Sequence, residues 1–273
     1  MSAHTESVTE KDLGKVFSEL GIASGDNLMI HSSLGSLGRV EGGADTVLDA
    51  LLSLIGPKGN LMLPTFTYTR PLPVPYFDPA TTPARTGIIP ETGRKRPGAI
   101  RSLHPTHSIA VIGPDAARLT QHHLSCRAIG IGSPLDLLGA MGGKILLLGV
   151  DQRTNSAIHV AEEYAETPKV SWYPPPLPFA KILMPDGTIR EHQIDDSSSC
   201  SAGFNGAEYL LRSREEIRDI RLGACKMQIF SISSVITHVG KALWKQPDLL
   251  LCTWKECRPC QGARMRLQNE KHC

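Results

Sequence analysis

The sequence predicts an α/β fold in which a central mixed sheet is flanked by helices. Short apolar segments with the character of buried strands alternate with amphipathic, helix-like segments along most of the chain. "KILLLGV" (144–150) is the clearest buried strand, and a helix-like segment follows it directly. With 273 residues, the chain is long enough to bury a sizeable core.

The first elements follow from hydrophobic spacing. A helix is predicted over residues 10–20, and "DNLMIHSSL" (26–34) predicts a strand that ends in small polar residues. "ADTVLDALLSLIG" (44–56) predicts a helix that stops at a glycine followed by proline. "GNLMLPTFT" (59–67) predicts a second buried strand, and the proline-rich stretch 70–98 predicts a long excursion with little regular structure.

The later elements are predicted in the same way. "HSIAVIG" (107–113) is the third strand, and helices are predicted over 115–124 and 134–142. "AKILMPDGTIREHQI" (180–194) predicts a β-hairpin that turns at Asp186-Gly187. We therefore expect one domain over 1–273, with a catalytic core (10–170), a hairpin-containing substrate lip with completing elements (171–250), and a Cys-rich, helical tail (251–273).

Composition excludes several functional classes. A net charge of +2 and an aromatic content of 5% argue against a nucleic-acid partner. The polar N-terminus lacks the apolar core of a signal peptide, and no apolar run reaches the roughly 20 residues that span a membrane. We expect a cytoplasmic monomer or homodimer that does not bind membranes.

A candidate acid–base pair lies in "TNSAIHVAEEYAE" (154–166). Asn155 or Ser156 can cap a helix, and His159, Glu162 and Glu163 then share one face. A histidine held by a carboxylate makes a general base near neutral pH, although the same spacing also occurs in ordinary surface pairs.

Three other segments carry possible chemistry. "HSSLGSLG" (31–38) follows a strand and could bind phosphate or pantetheine through backbone N–H groups, or be a simple turn. "RSLHPTHS" (101–108) offers His104 and His107 without a well-spaced third metal ligand. The tail cysteines include one C-x-x-C pair, Cys257 and Cys260; we favour incidental thiols over a zinc site and expect no metal.

Taken in order, these segments resemble the aminoglycoside 3-N-acetyltransferase family. "HSSLGSLG", "GNLMLPTFT", "TGIIPE", "RSLHPTHS", "GIGSPLDLLGAMGGKILLLGV" and "NSAIHVAE" carry the resemblance, which covers about residues 10–170. The sequence departs at Ser156, where Thr is common, and at Gly93, where an aromatic residue often stands, and it matches weakly over 197–273.

The resemblance implies transfer of an acetyl group from acetyl-CoA to the 3-amino group of a 2-deoxystreptamine aminoglycoside. It implies His159 and Glu162 as the catalytic pair, with His104 as a rival base. The residues implied for acetyl-CoA are His31, Ser32, Ser33, Leu34, Gly35, Ser36, Thr65 and Ser102. Because the substrate is a polycation, we also expect an acidic cleft with Asp151, Glu163, Asp195 and Asp196 as substrate-binding residues.

Three alternatives stay open. The protein could acetylate another amine, or be a degenerate module that binds CoA or a sugar without turnover. A zinc-dependent hydrolase could use His104, His107 and the tail cysteines. Among acetyl-transfer mechanisms we expect direct transfer, because the sequence offers no convincing covalent nucleophile.

Overall fold

The computed structural model describes residues 7–67, 76–195 and 200–270. Its strands are β1 Asn27–Ser32, β2 Asn60–Pro64, β3 Tyr76–Phe77, β4 Ile100–Arg101, β5 Ile109–Ile112, β6 Lys144–Leu148, β7 Phe179–Leu183, β8 Ile189–Gln193, β9 Arg218–Leu222 and β10 Cys225–Ser231. Its helices are α1 Glu10–Leu20, α2 Ala44–Ile55, α3 Ile88–Gly93, α4 Ala116–Thr120, α5 Pro134–Ala140, α6 Ala157–Tyr164, α7 Gly206–Arg212, α8 Ile232–Ser234, α9 Gly240–Lys245 and α10 Arg258–Glu270.

Seven strands form the central sheet in the order β4-β5-β2-β1-β6-β10-β9. The three middle strands β2, β1 and β6 are parallel, whereas the strands on both sides of them pair antiparallel. The predicted α/β class with a mixed sheet is confirmed. A second, three-stranded sheet has the order β3-β7-β8.

The central sheet is buried on both faces. Leu28 and Ile30 of β1 pack in the cluster formed with α1 and α2, while Met29, between them, packs in the cluster formed with α5 and α6. Successive side chains of a strand point to opposite faces, so a strand covered by helices on both sides reads as a continuous apolar run. This burial explains why β1, β2 and β6 were predicted from the sequence.

Most predicted elements are found, with three differences. The excursion over 70–98 contains the short helix α3, and the helix predicted over 115–124 is only the five-residue α4. Strands β9 and β10 were not predicted, yet β10 pairs antiparallel with β6 and extends the sheet beyond its parallel centre. The hairpin β7–β8 and the helical tail α10 are confirmed. None of the helices among the described residues has the length and apolar character needed to span a membrane.

Candidate active site

A cleft of about 540 Å³ opens at the carboxyl ends of the parallel strands. Its lining includes His31 and Ser32 at the end of β1 and Pro64 and Phe66 at and after the end of β2. Residues 153–156 and His159, after β6, line it as well. Open α/β sheets commonly bind ligands at this edge, because the loops that follow the strands converge there. The rest of the described wall comes from segments that are distant in sequence: 85–86, His107, 127–129, 172–173, Asp195, 200–201 and Phe204.

The pair predicted from the sequence is present in this cleft. His159 Nδ1 lies 2.8 Å from Glu162 Oε2, and the two side chains are 17% and 5% exposed. Because a carboxylate oxygen accepts hydrogen bonds, Nδ1 is the donor, and in the neutral form of the ring Nε2 carries the lone pair. The ring also packs edge-on against Phe204, with centroids 4.8 Å apart. These two contacts fix the orientation of the imidazole at the cleft wall.

Buried amide side chains anchor the start of α6. Asn155 Oδ1 accepts from the N–H of Ala157, the first residue of α6, at 3.1 Å. The N-cap position itself is occupied by Ser156, whose side chain makes no capping hydrogen bond. Asn155 Nδ2 donates to Gln152 Oε1 at 2.8 Å, and Gln152 Nε2 donates to Gln228 Oε1 of β10 at 3.4 Å. The helix that carries His159 is therefore tied to the central sheet.

Only the first two residues of "HSSLGSLG" line the cleft. Residues 34–37 form a single 3₁₀ turn, and the Ser36 hydroxyl donates to the carbonyl of Ser33 at 2.7 Å. The N–H of Ser33 donates to Leu148 O at 2.9 Å and that of Ser36 to Ser33 O at 3.1 Å. Ser33, Leu34, Gly35 and Ser36 thus lie outside the described cleft lining.

His31 and Ser32 are polar groups buried beside the cleft. Burial lowers the pKa of His31 to about 3, so its ring is neutral near pH 7; its Nε2 lies 3.5 Å from the N–H of Ser156. The Ser32 hydroxyl oxygen is buried without a hydrogen-bond partner in the described part of the chain. A buried hydroxyl without a partner costs free energy, so a bound molecule that accepts from it would remove that cost.

Three other predicted residues lie inside the fold instead of on the cleft lining. Thr65 Oγ1 donates to Ser108 O at 2.9 Å, and Ser102 Oγ accepts from the N–H of Ile109 at 2.9 Å. His104 Nδ1 accepts from the N–H of His107 at 3.2 Å. Burial, followed by the neighbouring histidines, holds the pKa of His104 well below its ordinary value. None of these three residues lines the cleft, but the neighbouring His107 does.

The charges at the cleft differ from the acidic lining that we expected. Arg85, Arg127, Arg153 and Asp195 are the charged residues among the described lining residues, apart from the histidines. Asp151 and Glu163 do not line the cleft but pair with arginines that do. Asp151 Oδ2 accepts from Arg153 Nη2 at 2.8 Å, and Glu163 Oε1 lies 3.4 Å from Arg127 Nε. Asp196 lies outside the described residues. The described wall therefore holds more cationic than anionic groups.

Several lining residues were missed by sequence reasoning. They are Arg85, Thr86, Arg127, Trp172, Tyr173 and Phe204. They come from loops, from the stretch after residue 170 that the resemblance does not cover, and, for Phe204, from the weakly matching region 197–273. No local pattern marks a cleft residue there. Trp172 and Tyr173 directly precede a run of three prolines, 174–176.

Comparison with known proteins identifies the family. A family model described as aminoglycoside 3-N-acetyltransferase matches residues 29–243. The chain belongs to this family. Aminoglycoside N(3)-acetyltransferase VII of Streptomyces paromomycinus is 36% identical over 260 residues, which cover 84% of this chain and 89% of that protein. The resemblance drawn from the sequence is thereby confirmed.

A second curated relative is matched over a shorter region. Aminoglycoside N(3)-acetyltransferase III of Salmonella is 39% identical over 189 residues, 62% of this chain. The match spans 66% of that relative's own length.

Solved structures of acetyltransferases share the fold. Aminoglycoside acetyltransferase AAC(3)-IVa in complex with a gentamicin aligns with a TM-score of 0.84 and 25% identity, covering 97% of this chain and 99% of that one. The binary complex of AAC-IIIb with CoASH aligns with a TM-score of 0.78 and 27% identity, covering 88% and 98%. The relatives thus include proteins bound to an aminoglycoside and to coenzyme A.

Proposed function

We propose that this protein transfers the acetyl group of acetyl-CoA to the 3-amino group of a 2-deoxystreptamine aminoglycoside. The observation that carries the proposal is the His159–Glu162 pair, which stands in the wall of the cleft of a chain that belongs to this family. The curated relatives bear the name of this activity. An activity of this kind in a cell confers resistance to the antibiotic.

His159 is the general base of the proposed reaction. The amine must be neutral to attack the thioester carbonyl, and Nε2 of His159 accepts its proton while the C–N bond forms. The C–S bond then breaks, and coenzyme A leaves as a thiolate that takes up a proton. Glu162 fixes the ring and stabilises the imidazolium, so Glu162 is a positioning residue.

The Ser32 hydroxyl is the proposed donor to the developing oxyanion. Within "HSSLGSLG", the backbone N–H groups of Ser33 and Ser36 already donate to carbonyl oxygens. Ser32 instead offers a buried hydroxyl without a described partner at the cleft. A donor held in place before the reaction stabilises the tetrahedral intermediate without reorganisation.

The arginines at the cleft suit a polyanionic cosubstrate. Arg85, Arg127 and Arg153 can pair with the phosphates of coenzyme A, for which guanidinium groups are well matched in geometry. Asp195 can pair with an ammonium group of the sugar at the same cleft. We therefore assign the cationic part of the lining to acetyl-CoA and the acidic residue to the aminoglycoside.

Two alternatives differ in what they predict. Acetyl transfer to another amine would use the same His159–Glu162 pair, and only the substrate distinguishes it. A degenerate binding module would not need an oriented base at the cleft, so the retained pair argues against it.

The decisive assay measures release of the CoA thiol with a panel of aminoglycosides. The panel includes one compound that has the 2-deoxystreptamine ring but lacks a free 3-amino group. We expect turnover with the 3-amino compounds only, and product NMR should place the acetyl group on that nitrogen. Equal turnover with the blocked compound would favour another amine, and binding without thiol release would favour the non-catalytic module.

A further inference from the structure

Four buried cysteines converge at one point beside the cleft. Cys200, Cys252, Cys257 and Cys260 form a cluster, called here the thiol cluster, in which all four Sγ atoms lie within 4.8 Å of one another. They come from two segments that are far apart along the chain, one before α7 and one at the start of α10. Apolar packing alone does not require four sulfur atoms to face a common centre.

The spacing of the sulfur atoms suits a tetrahedral metal ion. Zn–S bonds of about 2.3 Å in a tetrahedron place the sulfur atoms about 3.8 Å apart. Cys260 Sγ and Cys200 Sγ lie 3.5 Å apart. The other pairs of sulfur atoms are at most 4.8 Å apart, so the cluster would have to contract only slightly to reach tetrahedral spacing. The two sulfur atoms of a disulfide are about 2.05 Å apart, so the sulfur atoms of the thiol cluster are too far apart to be covalently bonded.

The surrounding backbone also suits bound thiolates. The backbone N–H groups of Ala202 and Trp254, each two residues further along the chain, face the sulfur atoms of Cys200 and Cys252 and favour their charged forms. The N–H of Cys260 donates to the sulfur of Cys257. Cys257 and Cys260 also flank the first turn of the 13-residue helix α10, whose amino-terminal end favours negative charge.

We propose that the thiol cluster binds one structural Zn²⁺ ion through four cysteine thiolates. Four thiolates in tetrahedral geometry select zinc or iron, and a closed set of four protein ligands is the usual arrangement of a structural zinc site. This proposal replaces our expectation that the tail thiols are incidental. Cys200 was not among the candidates from the sequence, because it lies far from the tail.

The ion would fasten the tail to the substrate wall. Cys200 lines the cleft, and Phe204, four residues later, packs on His159. On the other side, Trp172 packs on the thiol cluster and lines the cleft as well. The tail helix holds the same wall, because Arg258 Nε donates to Ser171 O at 3.3 Å. Since four thiolates leave no open coordination position, the ion has no direct part in acetyl transfer, and a zinc-hydrolase reaction at this site is excluded.

Metal analysis of the full-length protein tests this proposal independently of acetyl transfer. Protein expressed in medium with zinc and purified without chelator should contain about one zinc ion per chain. Cys260→Ser should lose most of the zinc, whereas Cys126→Ser, at a half-buried cysteine outside the thiol cluster, should retain it. Exchange of the wild-type protein with Co²⁺ should give thiolate-to-cobalt charge-transfer bands and the strong visible bands of a tetrahedral site.

The cobalt spectrum keeps the test valid if the serine variant fails to fold. Absence of stoichiometric zinc from the wild-type protein, together with no charge-transfer band, would overturn the proposal. Recovery of the four cysteines as two disulfides, or stoichiometric iron in place of zinc, would overturn it as well. If zinc is bound, its removal should also lower the melting temperature, because metal binding stabilises only the folded chain.

Discussion

Replacing Glu162 by glutamine removes the charge behind the proposed base and keeps the shape of the side chain. Glu162 Oε2 lies 2.8 Å from His159 Nδ1, and the Glu162 side chain is only 5% exposed, so solvent screens this hydrogen bond little. A hydrogen bond to a charged partner contributes about 1.5–3 kcal/mol. Since each 1.36 kcal/mol changes a rate tenfold, Glu162→Gln should lower kcat by about 10- to 10²-fold.

The matched control is Glu166→Gln, which makes the same change just beyond α6 on an exposed side chain. Both variants should be assayed by thiol release at saturating acetyl-CoA, with circular dichroism to confirm the fold. Glu166→Gln should keep kcat within about two-fold, as expected for an exposed residue. A Glu162→Gln enzyme with wild-type kcat, or equal losses in the two variants, would refute the positioning role of Glu162.

Four further outcomes are expected. The KM for acetyl-CoA should rise with salt concentration, because salt screens the attraction between the arginines that line the cleft and the phosphates of CoA. A KM that does not depend on salt would contradict this pairing. Ser32→Ala should lower kcat by about 10- to 10³-fold in steady-state assays. The melting temperature should stay nearly unchanged, because the Ser32 hydroxyl has no described hydrogen-bond partner to lose. A wild-type kcat in this variant would show that Ser32 is not the oxyanion donor. Initial rates with both substrates varied should give intersecting lines, whereas parallel lines and an acetyl-enzyme detected by mass spectrometry would exclude direct transfer. The free energy of unfolding, measured by denaturant titration, should fall as the pH is lowered from about 6.5 towards 4. Burial lowers the pKa of His31 to about 3 and that of His123 to about 4, so the unfolded chain binds more protons than the folded chain in this range. A free energy of unfolding that is constant or rises over this range would contradict the burial of these two neutral histidines.

The sequence predicts the parts of the fold that depend on local pattern. Strands β1, β2 and β6 are apolar on both faces, and α1 and α2 have the helical spacing of buried residues. The pair of His159 and Glu162 was predictable for the same reason, because their separation of three residues places both on one face of a helix.

Strands β9 and β10 could not be recognised in this way. β9, "RDIRL", lies at the sheet edge with charged residues exposed, so it lacks an apolar run. β10 contains Gln228, which is fully buried and hydrogen-bonded to Gln152 and Glu208, so its polarity is satisfied by partners far away in sequence. A local pattern does not show such partners.

The charges of the cleft and the thiol cluster were missed for a related reason. Both depend on contacts between segments that are distant in the chain, such as Arg127 with Glu163, or Cys200 with Cys260. Only a three-dimensional arrangement shows that acidic residues expected at the substrate are paired with arginines, and that a cysteine from the body joins those of the tail.

The central claim is that His159 is the base of acetyl transfer, and the pH dependence of kcat tests it most directly. Wild type, His159→Ala and His104→Ala should be compared over the acidic range, with CoA affinity measured separately. We predict that His159→Ala lowers kcat by about 10²- to 10⁴-fold and removes the acidic limb of the pH profile of kcat. This variant should bind CoA nearly as well as wild type. The acidic limb should remain in His104→Ala. A wild-type kcat and profile in His159→Ala, with both lost in His104→Ala, would contradict the account and assign the base to His104.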